Sequence, residues 1–260
     1  MRRARPLLVL LTMAWLGFTL RARPPQHVTV AAAADLQFAL AEVDAAFCRT
    51  HPGITVSASY GSSGAFYAQI MNGAPYDVFL SADEGYPQKL VQAGLANGAS
   101  AFRYSRGRLV LWVPKDSPIA LARLGMKALL DPSVQRIAIA NPRHAPYGRA
   151  AEAALAKLGL LEAVRPRLVY GENISQTAQF VQSGAAQIGL IARSLAESPP
   201  LVAAGRSYAV PLDAYPPLDQ GAVILTRAQG NAAARAFCAF LRGPEGLAIL
   251  KRYGFMVGGL

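Results

Sequence analysis

The sequence is poor in the residues that carry most catalytic chemistry. Its 260 residues hold three histidines, His27, His51 and His144, and two cysteines, Cys48 and Cys238. None stands at metal-ligand spacing from another, which excludes a zinc finger or similar metal module. There is no Gly-x4-Gly-Lys-Ser/Thr stretch, so a P-loop nucleotide site is excluded. No Gly-x-Ser-x-Gly elbow with a credible base is evident either. Charge is also scarce, at 16% of residues, and acids are outnumbered 15 to 26. The formal net charge is +11; five arginines and no acid fall in residues 1–26, which leaves +6 for the remainder. That balance suits an anionic ligand or an anionic surface without choosing between them. The remainder has no long basic run and no nucleic-acid-binding motif, so nucleic acid is not an expected partner.

What the chain does have is apolar bulk, 53% of residues, and enough length for one large domain or two lobes. The N-terminus is organised for export. Met1 to Arg5 is basic, and Pro6 to Leu20 is an apolar stretch too short to favour a membrane span. Residues 1–26 therefore read as a signal peptide, its cleavage point left open, and the mature protein is expected in the periplasm or otherwise outside the cytoplasm. No cysteine closes the apolar stretch, which argues against a lipoprotein. Cys48 and Cys238 each follow Ala-Phe in an apolar helical context. Export permits a disulfide between them, and two buried free thiols fit equally well.

The mature chain alternates strand and helix patterns. His27–Ala34, Ile54–Tyr60 and Tyr76–Leu80 read as strands, each followed by a helix. A second series runs through Arg108–Pro114, Ile137–Ala140, Leu168–Gly171 and Ile188–Ala192. Tyr208 to Gly221 reads as irregular, Ala222–Thr226 as a late strand, and two helices close the chain. The β-α-β-α order with short loops predicts mostly parallel sheets flanked by helices. Two such series predict an α/β chain of two lobes, 27–111 with 222–260, and 112–221.

In such folds ligands sit beyond the carboxyl ends of the strands, in a cleft between lobes. The loops predicted there are Ala34-Asp35, Gly61 to Gly64, Ser81-Ala82-Asp83, His144 to Gly148 and Gly171 to Ile174. Gly61-Ser62-Ser63-Gly64, between a strand and a helix start, is an anion cradle by composition: glycine permits the turn, serine offers hydroxyls, and helical N–H groups are unspent. Asp35 and Asp83 read as helix N-caps. Hydroxyl and amide donors at helix starts, without a base, suit binding without turnover. His144, the histidine in a cleft loop, keeps an exported hydrolase open as an alternative of a different class.

Several of these segments together resemble the periplasmic molybdate-binding proteins of ABC importers, with the type II periplasmic binding fold. The resemblance rests on Ala32-Ala33-Ala34-Asp35-Leu36, Gly61-Ser62-Ser63-Gly64, Gly73 to Asp83, Asn141 to Gly148, Gly171-Glu172-Asn173-Ile174 and Lys251 to Phe255. It implies a non-enzymatic monomer without cofactors that closes on molybdate or tungstate. The implied partners are a membrane permease and its cytoplasmic ATPase. The implied oxyanion-binding set is Ala34, Asp35, Ser62, Ser63, Ala82, Tyr147, Asn173 and Ile174; no residue is implied as a cation ligand. Within it Ser63 offers its hydroxyl and N–H, and Ala82 and Ile174 offer backbone N–H groups. Two positions depart from the commonest family pattern. Asp35 replaces a serine, and its carboxylate is expected to turn aside as a cap. Ala192 replaces a tyrosine, and Tyr147 is expected to supply the missing hydroxyl. Sulfate or phosphate remains the alternative ligand, because Asp35 is the acceptor that a protonated phosphate needs.

Overall fold

A computed structural model describes residues 26–258; the expected signal peptide lies outside the described residues except for Gln26. The first strand, β1 (Gln26–Ala33), is buried along most of its length and pairs in parallel with β2 (Ile54–Gly61) and β3 (Val78–Ser81). β4 (Phe102–Gly107) forms the opposite edge, and β10 (Leu218–Ile224) runs antiparallel between β3 and β4. The order of this first sheet is β2-β1-β3-β10-β4.

The second sheet repeats the plan. β6 (Ile137–Ala140) lies parallel to β7 (Leu168–Gly171) and β8 (Ile188–Ala192). β5 (Leu109–Pro114) enters antiparallel between β8 and the edge strand β9 (Gly205–Ala209). The order is β7-β6-β8-β5-β9. Each sheet thus takes one antiparallel strand from the segment entering its lobe, so two crossovers join the lobes. The chain leaves the first sheet at Arg108 and returns by Leu218, a few residues ahead of the breaks expected at 111/112 and 221/222. The cause is visible in the sequence: the apolar run Leu109–Val113 is buried from its first residue, and Gln220 and Gly221 already belong to β10.

Two strands escaped sequence reading. β4 (FRYSRG) carries two arginines, and β9 (GRSYA) is mostly exposed, so neither shows an apolar run. The β4 arginines are instead matched by acids: Arg103 forms ion pairs with Glu84 and Asp219, and Arg106 with Asp219 of the adjacent strand. The segment expected to be irregular before Ala222 therefore contains the start of β10.

Seven helices of two turns or more cover the sheets among the described residues: α1 (Gln37–Thr50), α2 (Ser63–Met71), α3 (Gly85–Gln92), α4 (Pro146–Lys157), α5 (Ile174–Gln182), α6 (Ala232–Leu241) and α7 (Pro244–Arg252). Their starts follow simple chemistry. Pro146 and Pro244 stand at the first helical positions, where the missing N–H costs nothing. Ser62, Asn173 and Asn231 cap α2, α5 and α6 through their side-chain oxygens. α5 stops where Gly184 takes a positive φ of 78°. α1, α6 and α7 bury Leu40, Val43, Phe47, Phe237 and Leu250 against the first sheet. The second lobe's core, around Trp112, Leu129, Ile139 and Leu190, continues across the cleft to Ala33, Ala34 and Ala82. Cys48 and Cys238 are both free thiols, and burial pushes the Cys238 thiol up to about 12.

Candidate functional site

Five chain turns meet where the lobes face each other. A single 3-10 turn, Ala34–Leu36, follows β1. α2 starts at Ser63 directly after β2, and Ala82 follows β3. From the second lobe come the starts of α4 and α5. Their lining residues include Ala34, Asp35, Ser62, Ser63, Ala82, Pro146, Tyr147 and Ile174. The space they enclose is small: only about 10 Å³ admits the centre of a water-sized sphere. That is room on the scale of a single water and far below the usual several hundred Å³ of an organic-ligand pocket.

Electrostatically the cavity is a donor site without a cation. No lysine or arginine lines it. Ser63 and Ile174 are the first residues of α2 and α5, so their N–H groups have no partner within the helix and carry the positive end of its dipole. The buried Ser63 hydroxyl accepts the Ala82 N–H at 2.9 Å, which leaves its own proton free to donate.

A larger groove of about 470 Å³ opens beside the cavity and shares Ala82 and Pro146 with it. Its acids are already matched: Asp83 with Arg149, Glu84 with Arg103, and Asp219 with Arg103 and Arg106. The groove has size but no unspent charge.

Seven of the eight residues expected at the site line the cavity. Asn173 does not; its side chain is occupied as the cap of α5, accepting the N–H groups of Ser175 and Gln176 at 3.0 Å each. Ser62 lines the cavity while capping α2 through the Ala65 N–H. Its hydroxyl also meets His144 Nδ1 at 2.9 Å.

Asp35 corrects the sequence reading. It caps no helix: it sits inside the 3-10 turn, where no side-chain cap bond forms, and α1 begins only at Gln37. Its Oδ2 instead accepts the Tyr147 hydroxyl at 2.9 Å and Gln220 Nε2 at 2.5 Å. Tyr147 thus spends its one proton on Asp35, not toward the centre of the cavity. A turn too short to expose a full set of helical N–H groups cannot compete with two directed donors. Burial raises the Asp35 carboxyl from 3.8 to about 6, with the Gln220 and Tyr147 bonds pulling the other way. Asp83 comes closer to its expected role: its Oδ1 accepts the Gly85 N–H at the start of α3 at 2.8 Å.

The lobes are held together at this site by bonds that single-segment reading misses. Gly64 N–H donates to His144 O at 2.9 Å, Ser175 Oγ donates to Gln37 Oε1 at 2.5 Å, and Ser194 Oγ donates to Asp35 O at 2.7 Å. Gln220, Ser194 and Gln37 are the missed residues. A glutamine just ahead of the apolar run Ala222–Ile224 was the available signal for Gln220, which is fully buried.

The family model for the bacterial extracellular solute-binding protein matches residues 28–256. The molybdate-binding protein ModA of Azotobacter vinelandii is 40% identical over 229 residues, 88% of this chain and 89% of that one. The molybdate-binding protein ModA of Rhodobacter capsulatus is 41% identical over 230 residues, 88% of each chain. In three dimensions, the periplasmic molybdate-binding protein of Azotobacter vinelandii superposes with a TM-score of 0.82 at 36% identity. That match covers 89% of this chain and 99% of that one.

Proposed function

The chain belongs to the bacterial extracellular solute-binding protein family, and from that premise we propose that it captures molybdate outside the cytoplasm and hands it to an ABC importer. It is a binding protein, not an enzyme, and molybdate is its cargo, not a cofactor. The observation that carries the reading is the convergence of helix starts on a small cavity without a cation. Oriented N–H and hydroxyl donors fixed in a dry site replace the water around a dianion, and charge-assisted hydrogen bonds are stronger than neutral ones. Ser63 and Ile174 are the donors we assign to the anion; the Ala82 N–H holds the Ser63 hydroxyl in place, and Ala34 and Tyr147 complete the wall. Asn173 acts through the start of α5, which it fixes.

Protonation bears on selectivity. Molybdate and tungstate carry no proton near neutral pH, so a site of donors suits both. Phosphate retains a proton and needs an acceptor, a role for which Asp35 is the carboxylate on the cavity wall, so phosphate and sulfate are the competitors to titrate. Two lobes hinged on the crossovers at Arg108 and at 210–217 would open to admit the anion and close on it, presenting the closed form to a membrane permease driven by a cytoplasmic ATPase. The family match speaks against the hydrolase alternative. Ser62 meets His144, which in turn meets Glu172 at 3.4 Å, but the Ser62 hydroxyl also caps α2.

Titration calorimetry on ligand-stripped mature protein tests the reading. Molybdate and tungstate should bind one to one and more tightly than sulfate or phosphate. Equal or tighter sulfate or phosphate binding would overturn the assignment.

A further inference from the structure

Asp35 lines the anion cavity, is only 1% exposed, and is unevenly satisfied. Oδ2 takes two donors, Tyr147 and Gln220, and Oδ1 takes none. Gln220 is held in turn by the Ser105 hydroxyl at its Oε1 and reaches the Tyr147 hydroxyl at 3.2 Å. Gly107 leaves space for this cluster: a Cβ there would lie 2.2 Å from the Tyr147 hydroxyl and 2.8 Å from Gln220 Nε2.

No cation compensates the carboxylate. From β4, Tyr104 faces it, its hydroxyl donating to Ser81 O. From the turn Arg193–Ala196, Ser194 holds the Asp35 carbonyl, while Arg193 is paired with Glu197. On β2, Tyr60 faces Asp44 of α1. Across the cavity His144 is bonded to Ser62. A bound dianion would therefore share a small, dry space with an ionised carboxylate, and like charges so placed do not both persist.

We propose that Asp35 takes up a proton from solvent when the anion binds and releases it when the anion leaves, so that capture of a dianion is coupled to one proton. The proton goes to Oδ1, the oxygen without a partner, because Oδ2 is engaged by two donors. No other bond changes: carboxylate and bulk proton become a carboxylic acid. The neutral acid removes the repulsion and turns an orphaned acceptor into a further donor. The Tyr147 hydroxyl, no longer held by a charge, becomes free to turn toward the anion. Burial has already raised this carboxyl to about 6, so modest repulsion from the ligand carries it past neutral.

The inference rests on the oxyanion reading above, and one measurement separates the two. Molybdate is titrated into the mature protein near neutral pH in several buffers of different ionisation enthalpy, none of them phosphate. The slope of observed enthalpy against buffer enthalpy should give close to one proton taken up per anion, and affinity should rise roughly 30-fold from about pH 8 to about pH 6. Asp35→Asn should bind molybdate with a slope near zero and little pH dependence. His144→Ala should keep the slope, whatever it does to affinity. Tight binding with no proton uptake in the unaltered protein overturns the coupling and leaves the oxyanion reading standing. A slope retained in Asp35→Asn overturns the assignment to Asp35. Absence of molybdate binding overturns both.

Discussion

Gly64 offers a test of whether closure of the lobes, as distinct from the donors themselves, sets affinity. It lies in the first turn of α2, and its N–H bonds to His144 O in the other lobe at 2.9 Å. A Cβ at this position would lie 2.6 Å from that carbonyl oxygen, 2.9 Å from His144 Cα and 2.7 Å from the Tyr86 hydroxyl. The tyrosine end can swing away, but the His144 backbone cannot give without moving its lobe. Gly64→Ala should therefore hold the lobes apart at this edge of the cavity. The Gly64–His144 bond and the neighbouring Ser62–His144 bond would both weaken; at about 0.5–1.5 kcal/mol each, the closed form loses about 1–3 kcal/mol. Within its own lobe the change has the opposite sign, because alanine in a helix is favoured over glycine by about 0.5–1 kcal/mol. The expected pattern is weaker molybdate binding, by about 5- to 150-fold, with equal or higher thermal stability without ligand. Calorimetry and a thermal melt on the same preparation read both. Undiminished affinity in a folded Gly64→Ala protein would refute the claim that this contact closes the site.

How much of this could be read from the chain depends on how local the determinant is. The strand–helix alternation and the Gly-Ser junction were legible because their signals are contiguous: β2, Gly61 to Gly64 and α2 form one unbroken stretch. The places of Ala82 and Ile174 on the cavity wall were reachable by resemblance. The side-chain network was not legible. Asp35 looked like a cap because it precedes a helix, yet its partners are Tyr147, 112 residues away, and Gln220, 185 residues away. Only the crossover geometry, which sets β10 into the first sheet and α4 over the cleft, brings the three together. β4 was hidden for a related reason: its arginines look like loop residues until Glu84 and Asp219 are placed beside them.

Other substitutions probe separate parts of the argument. Ser63→Ala removes a buried hydroxyl and orphans the Ala82 N–H; molybdate affinity should fall by about 1.5–3 kcal/mol in calorimetry. Arg149→Ala breaks a cross-lobe ion pair with Asp83 that is more than a third exposed on both sides; its effect on affinity should stay below about 1 kcal/mol and shrink with added salt. The stability of the ligand-free protein should fall with rising pH through the range where Asp35 and Asp44 ionise. Burial raises Asp35 from 3.8 to about 6 and Asp44 to about 7, so the native state holds these protons more firmly than the unfolded chain does. The stabilisation is fully present below about pH 4 and is lost as pH rises through the folded-state values, the reverse of a salt-bridged carboxylate. For Asp35 the shift is worth about 3 kcal/mol at pH 8. Asp35→Asn abolishes that loss and still offers an oxygen to Tyr147 and Gln220, but sets an NH₂ group where Oδ1 found no partner. A net gain of about 1–2 kcal/mol is therefore expected at pH 8, narrowing toward pH 5, in urea unfolding of the ligand-free protein. An Asp35→Asn protein less stable than the original at pH 8, or a gap that does not change with pH, would show that this carboxylate is better compensated than its hydrogen bonds indicate.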